Sequence, residues 1–139
     1  MRIFVIESSP HKNGSSNLLA DYFISGAREA GHTVTVFDAA RAKLHPCMGC
    51  EVCGMSGPCR QKDDMAELSA KDLKTALIVA AWDNRDWTMQ DISSYCQMLC
   101  KYLNFEDQGM ILGFGCGTVS AARGSEYPQK AYDFGKSLK

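Results

Sequence analysis

Short apolar runs alternate along this chain with longer segments in which apolar residues recur every three or four positions. The short runs predict four β-strands, at residues 3–6, 32–37, 75–81 and 109–114. The periodic segments predict helices over about residues 16–30, from Thr88 to about Leu103, and from Ser125 onward. Strands that alternate with helices predict an α/β fold, in which helices cover both faces of a parallel sheet.

Two of the predicted helices carry an apolar stripe. On the first helix the stripe consists of Leu18, Leu19, Tyr22, Phe23 and Ala27. On the second it consists of Met89, Ile92, Cys96, Leu99 and Leu103. We expect Thr88 to cap the second helix. We expect His32 and His45 on the surface, because neither has a partner at metal-ligand spacing.

Length and composition describe one ordinary domain. The chain has 139 residues, of which 45% are hydrophobic and 22% charged, so we expect a single domain over residues 1–139. A net charge of −1 gives no reason to expect a nucleic-acid partner. No apolar run approaches the roughly 20 residues that span a bilayer. The first residues resemble a strand rather than a secretory signal, so the cytoplasm is the expected compartment.

The loop after the first predicted strand has the chemistry of an anion site. Ser9, Ser15, Ser16 and Asn17 offer donors where a helix begins, and His11 can add positive charge. The helix dipole and the free amides of its first turn favour a phosphate at such a place. The loop lacks the glycine patterns of nucleoside-triphosphate and dinucleotide sites, which favours the single phosphate of a mononucleotide. The alternative is an ordinary helix-capping turn.

Seven cysteines are many for this length, and four of them form a cluster. The spacing is Cys47-x2-Cys50-x2-Cys53-x5-Cys59, and two-residue gaps let thiolates converge on one iron–sulfur cluster. Zinc and a metal-free reactive or structural thiol loop are the alternatives. Cys96, in the second stripe, and Cys100, at its edge, are expected in the core. Cys116, between two glycines, is either functional or part of a tight turn.

The sequence resembles the family of NAD(P)H-dependent FMN reductases and iron–sulfur flavoproteins, which have a flavodoxin-like fold. The segment S-S-P-H-K-N-G-S-S-N resembles the family loop G-S-P-R-x-x-G-N-T. The segment P-C-M-G-C-x-x-C, followed by G-P-C-x-x-K-D-D-M, resembles the cysteine loop of many members. Residues 99–117 resemble the last helix–strand unit. From the first to the last, these segments span most of the chain.

The resemblance implies an FMN site and a set of residues for it. Ser9, His11, Ser15, Ser16 and Asn17 would bind its phosphate. The loop of Ala81, Trp82 and Asp83 is expected near the cofactor. For Trp82 and Trp87, however, covering the core is the favoured interpretation. The cluster cysteines would hold a 4Fe-4S cluster, and NAD(P)H would donate electrons. Ser8 replaces the family glycine and His11 replaces its arginine, so we expect weaker phosphate binding.

The chain is also shorter than the family pattern. A strand, the loop that holds the flavin ring and a helix are absent between Met65 and Lys74. Either the strand at residues 75–81 moves beside the first strand, or a second chain fills the gap. We therefore expect a homo-oligomer.

The sequence thus predicts an FMN-binding oxidoreductase that takes electrons from NAD(P)H or a redox partner, which is a small molecule or a protein. An iron–sulfur cluster would relay single electrons. The alternatives are a shortened, non-catalytic binding module and a metal- or thiol-redox protein without flavin.

Overall fold

The computed structural model describes residues 1–52, 57, 59–64 and 74–139. In chain order the strands and helices are β1 (Arg2–Glu7), α1 (Ser15–Glu29), β2 (Thr33–Asp38), β3 (Lys74–Ala80), α2 (Gln90–Leu103), β4 (Glu106–Gly113), α3 (Val119–Gly124) and α4 (Tyr127–Ser137). A short 3-10 turn, Asp86–Met89, precedes α2. The predicted alternation of strands and helices is confirmed.

The strands form two parallel pairs. β1 pairs with β2 from Arg2 opposite Thr33 onward, without a shift in register. β3 pairs with β4, and the register shifts between Thr75 and Ala76. Among the described strands, β1 and β3 are not hydrogen-bonded to each other. The arrangement in which residues 75–81 move beside the first strand is therefore wrong, although the parallel α/β class is confirmed.

Helix α1 holds the two strand pairs together. Its side chains Leu19, Phe23 and Ile24 are buried with Ala131 of α4. Alternate residues of the strands pack against this cluster, among them Ile3, Val5, Val34, Ile78, Ala80 and Ile111. The α1 stripe is rotated from its predicted position, because Ile24 and Gly26 are buried while Tyr22 is 37% exposed. One helix thus spans both pairs and fixes their relative position.

Helices α1 and α4 approach each other closely at two glycines. A Cβ atom placed on Gly26 would lie 2.0 Å from the carbonyl oxygen of Tyr132. A Cβ atom on Gly135 would lie 2.1 Å from the carbonyl oxygen of Phe23. Any side chain larger than hydrogen would push the helices apart. This contact lets the rings of Phe23 and Phe134 meet, with centroids 5.7 Å apart.

Helix α2 packs against β4 and the 3-10 turn, and much of its apolar stripe stays exposed. Met89 is buried, but Ile92 and Leu103 are 39% and 42% exposed. The predicted Thr88 cap is wrong, because the 3-10 turn contains Thr88 and the helix begins at Gln90 without a side-chain cap. Cys100, predicted at the edge of the stripe, is more deeply buried than Cys96.

The two histidines differ in their surroundings. His45 is exposed, as predicted, and its Nδ1 lies 3.3 Å from an Asp63 carboxylate oxygen. His32, also predicted on the surface, is partly exposed. Its ring is half-buried, with Nε2 at 3.0 Å from the Leu138 carbonyl oxygen and Nδ1 at 3.1 Å from the amino group of Met1. It links the two ends of the described chain.

Candidate functional site

The loop between β1 and α1 brings free amides and hydroxyls to one place. Gly14 precedes the helix in an extended conformation, and no side chain caps the first turn. The amide of Leu18 makes the first helical hydrogen bond, to the Gly14 carbonyl at 3.0 Å. The amides of Ser15, Ser16 and Asn17 therefore lack an acceptor within the helix. No acidic residue belongs to this first turn, although the Glu7 carboxylate at the end of β1 accepts the side-chain amide of Asn17 at 2.8 Å.

The predicted ligands of the loop play different parts. Ser15 and Ser16 are half-buried in the first turn, and the Ser9 hydroxyl donates to the His11 carbonyl at 3.4 Å. His11 is exposed. The side-chain amide of Asn17 donates one hydrogen bond to Glu7 at 2.8 Å, and its backbone N–H has no acceptor within the helix.

A cleft of ≈ 210 Å³ adjoins this loop. Its lining consists of Glu7, Lys12, Asn13, Asn17, Asp21, Asp38 and Arg41. Three carboxylates against two cations make the cleft a poor place for a phosphate dianion. The amides and hydroxyls at the start of α1 fit such a group, because they carry donors without a carboxylate in the first turn. The start of α1 is therefore a better candidate for a phosphate than the cleft is.

The loops after β3 and β4 meet at the carboxyl ends of their strands. The amide of Ala81 donates to Gly113 at 2.9 Å, and the amide of Gly115 donates to Asp83 at 3.0 Å. Asp83 also accepts the Arg85 amide at 2.9 Å. Ligands of parallel α/β sheets bind at this edge, where α1 also begins. Ala81 and Asp83 thus join the two loops through backbone hydrogen bonds, and Asp83 also stabilises its own turn.

Trp82 lies on this edge with its ring against a glycine. A Cβ atom on Gly117 would lie 2.3 Å from the ring, so the indole packs directly on that backbone. The residue is nevertheless 77% exposed, and the interpretation that it covers the core is wrong. Trp87 is 64% exposed too, with the Arg85 guanidinium 5.6 Å from its ring centroid. An exposed indole at this edge is free to stack on a planar ligand.

The cysteine cluster falls partly within the described residues. Cys47 and Cys50 are exposed and Cys59 is half-buried, whereas Cys53 lies outside the described residues. In the described part of the chain, no three histidine, cysteine, aspartate or glutamate side chains are close enough to hold a metal ion. The structure therefore does not gather the three described cluster thiols into a ready metal site.

The remaining cysteines belong to the packing of the domain. Burial, and next the neighbouring Cys100, raise the pKa of the Cys96 thiol, which keeps it protonated and unreactive. Cys116 is 2% exposed, and its Sγ lies 3.5 Å from the Phe114 carbonyl oxygen and 3.9 Å from the Ser125 hydroxyl. Of the two interpretations of Cys116, the structure favours the tight turn.

Sequence reasoning missed two residues that shape the loop. Glu7 ends β1 and holds Asn17, and Arg41 holds the Pro10 carbonyl at 2.9 Å. Glu7 carries a signal in the sequence, because a carboxylate at the end of a parallel strand is expected at the ligand edge. Arg41 lies 31 positions from Pro10 and carries no such signal.

These features define an α/β protein with a candidate phosphate loop at the ligand edge of its strands. The family model described as NADPH-dependent FMN reductase matches residues 1–81, more than half of the chain. The chain therefore belongs to the NADPH-dependent FMN reductase family, as its motifs predict. The matched segment contains both the phosphate loop and the cysteine cluster.

Two archaeal relatives share the same part of the sequence. An iron-sulfur flavoprotein of Methanocaldococcus jannaschii is 31% identical over 71 residues, which are 51% of this chain and 37% of that protein. An iron-sulfur flavoprotein of Archaeoglobus fulgidus is 32% identical over 68 residues, 49% of this chain and 31% of that protein. The matched part thus spans about a third of the length of these curated relatives.

A solved structure shares the fold. The NAD(P)H:quinone oxidoreductase from Methanothermobacter marburgensis aligns over 99% of this chain and 96% of its own, with a TM-score of 0.64 and 13% identity. This likeness confirms the predicted flavodoxin-like architecture. Within the described ranges, no helix is long and apolar enough to cross a membrane.

Proposed function

We propose that this protein is a flavin-dependent oxidoreductase that binds FMN by its phosphate at residues 9–17 and takes electrons from NAD(P)H or a redox partner. The observation that carries the proposal is the set of amides at the start of α1 without helical acceptors, in the turn that also contains the hydroxyls of Ser15 and Ser16. Bound FMN would supply the redox-active ring, and the chain would supply binding and orientation. Family membership supports this cofactor.

The flavin ring would lie toward the loop of Ala81, Trp82 and Asp83. Trp82 is exposed on the same sheet edge, and its indole would shield one face of the ring from water. The side-chain turn around Asp83 and Arg85 would fix the backbone beside it, because Asp83 holds both the amide and the guanidinium of Arg85.

The test is anaerobic reconstitution with FMN followed by addition of NADPH. We expect the visible flavin band to appear and then to bleach on reduction. A Ser15→Ala, Ser16→Ala double variant should bind FMN about a hundredfold more weakly, because two hydrogen bonds to a charged group are lost. Ser25→Ala is the matched control, since its hydroxyl bonds the Asp21 carbonyl within the same helix.

Two results would contradict this function. A protein that takes up no FMN favours an interaction module or a thiol-redox protein without flavin. A protein that binds FMN but is not reduced by NADPH or by an artificial electron donor favours a non-catalytic binding module.

We further propose that Cys47, Cys50, Cys53 and Cys59 hold an iron–sulfur cluster that relays single electrons. The thiolate donor set supports it, as do the names of the two relatives. Because the three described thiols do not form a metal site, cluster binding would have to bring them together. Anaerobic reconstitution should give stoichiometric iron and sulfide, lost in Cys59→Ser and kept in Cys96→Ser. Bound zinc, or no metal at all, would contradict the cluster.

Two further sequence predictions are kept as proposals. We propose a homo-oligomer, supported by exposed apolar side chains on α2 such as Met98, which is 63% exposed. Light scattering at several protein concentrations tests it, and a monomer at all of them would contradict it. The proposed compartment is the cytoplasm, where free thiols stay reduced.

A further inference from the structure

One side chain ties the turn after β2 to the phosphate loop. Arg41 Nη1 donates to the two carboxylate oxygens of Asp38 at 3.0 and 2.8 Å. Its Nη2 donates to the carbonyl oxygen of Pro10 at 2.9 Å. Asp38 also accepts the amides of Arg41 and Ala42 through its own carbonyl, at 3.2 and 3.0 Å. Asp38, the last residue of β2, thus holds both the backbone of the following turn and the guanidinium of Arg41.

The hydrogen bonds within the phosphate loop are longer than the hydrogen bonds that Arg41 makes. The Gly14 amide reaches the His11 carbonyl at 3.3 Å, and the Ser9 hydroxyl reaches the same oxygen at 3.4 Å. Pro10 has no N–H, so its carbonyl is its single main-chain hydrogen-bonding group. A hydrogen bond from a charged donor is stronger than a neutral one, so Arg41 makes the strongest of these contacts to the loop.

We propose that Arg41 is a positioning residue for the phosphate of the bound mononucleotide, an inference that rests on the proposed FMN function. By holding the Pro10 carbonyl, Arg41 would fix the backbone of the loop between Ser9 and His11, so that the loop has its binding conformation before the ligand arrives. Such preorganisation lowers the entropy that binding costs.

Arg41 does not serve as a phosphate ligand itself. Its guanidinium is already paired with the Asp38 carboxylate at 2.8 Å, and the cleft that it lines also contains Glu7 and Asp21. A lysine would not replace it, because a single ammonium cannot bridge Asp38 and Pro10 with a planar fork. The role therefore depends on the shape of the side chain as well as on its charge.

The test compares FMN with riboflavin, which has the same ring but no phosphate. We expect Arg41→Gln to weaken FMN binding about tenfold, the effect of one charged hydrogen bond, and to leave riboflavin binding within about twofold. Arg41→Lys should restore less than half of the loss on a logarithmic scale. The matched control, Arg123→Gln on α3, should bind both ligands like the wild type. Unchanged FMN affinity in Arg41→Gln, or equal weakening of both ligands, would overturn the proposal.

A second readout needs no ligand. Lys12 is exposed in the loop, so trypsin cleavage after it reports loop opening in the cofactor-free protein. We expect cleavage there to be about tenfold faster in Arg41→Gln than in Arg123→Gln, at matched helical content. Equal cleavage rates in the two variants would overturn the proposal that Arg41 holds the loop. If the wild type binds no FMN, the proposed function fails, and the cleavage rates still decide whether Arg41 holds the loop.

Discussion

The contact between α1 and α4 gives the sharpest stability prediction, for Gly26→Ala. The added Cβ atom would lie 2.0 Å from the Tyr132 carbonyl oxygen, 2.9 Å from its carbonyl carbon and 3.1 Å from the Lys136 nitrogen. Ordinary contact begins at 3.4 Å. All three obstacles are backbone atoms, which cannot rotate away as a side chain would. The helices must therefore separate, or one of them must bend.

The magnitude follows from two opposing effects. Overpacking a close-packed contact costs about 1–3 kcal/mol, and here the overlap is severe. Alanine gains about 1 kcal/mol over glycine within a helix. Separation of the helices would also loosen the Phe23–Phe134 contact at the core. We expect the free energy of unfolding to fall by about 1–2 kcal/mol, which lowers Tm by roughly 4–8 °C in a domain of this size.

The assay is urea unfolding followed by circular dichroism, with Gly124→Ala as the matched control. Gly124 is also helical, at the end of α3, but a Cβ atom placed on it would meet nothing within 4 Å. The control should unfold at the wild-type midpoint or slightly above it. A Gly26→Ala protein as stable as this control would refute the close approach of the two helices.

Three further predictions address the surface of the protein. A hydrogen bond from Lys136 at 2.5 Å is the main cause that lowers the pKa of Glu29 below 4.5. The stability that this contact adds is full above pH 4.5 and is lost as the pH falls through the lower pKa of the folded state. Glu29→Gln should therefore flatten the acid side of a plot of urea midpoint against pH, and an unchanged slope would contradict the contact. Iodoacetamide should modify exposed Cys47 at least about tenfold faster than buried Cys116, as followed by peptide mass spectrometry, and equal rates would show that Cys116 is accessible. Trp82→Ala should remove most of the quenching of tryptophan fluorescence by FMN, and undiminished quenching would place the ring elsewhere.

The strands were the most predictable part of the fold. Runs such as Ile3–Ile6 are rich in β-branched residues and end in polar turns, so their type and order follow from local chemistry. The polar start of β4, at Glu106, carries no apolar signal and was missed. It forms a strand because it pairs with Lys74 of β3, a tertiary contact that periodicity does not contain.

In the helices, tertiary packing determines which residues are buried. Gly26 carries no apolar signal, yet it is buried where α1 crosses α4, because only a glycine admits the approaching backbone. The exposed stripe of α2 shows the opposite case. Its Ile92 and Leu99 have the expected spacing but remain 39% exposed. A periodic pattern identifies a helix face and does not establish that this chain supplies a partner for it.

The candidate site was predicted in composition more than in geometry. Ser15 and Ser16 lie at the helix start, as the family motif indicates, but Gly14 occupies the N-cap position and no side chain caps the turn. The side chain of Asn17 turns to Glu7, and Arg41 reaches Pro10, because both contacts depend on how β1, β2 and α1 are arranged in space. Such contacts between distant positions cannot be derived from a single sequence.

The central claim is that the start of α1 anchors the phosphate of FMN. Titration of the wild-type protein with FMN and with riboflavin, under identical conditions, tests it most directly. We predict that FMN binds at least about tenfold more tightly, because riboflavin lacks the group that the loop amides and hydroxyls would bind. Equal affinity for the two flavins, or no binding of FMN, would contradict the account.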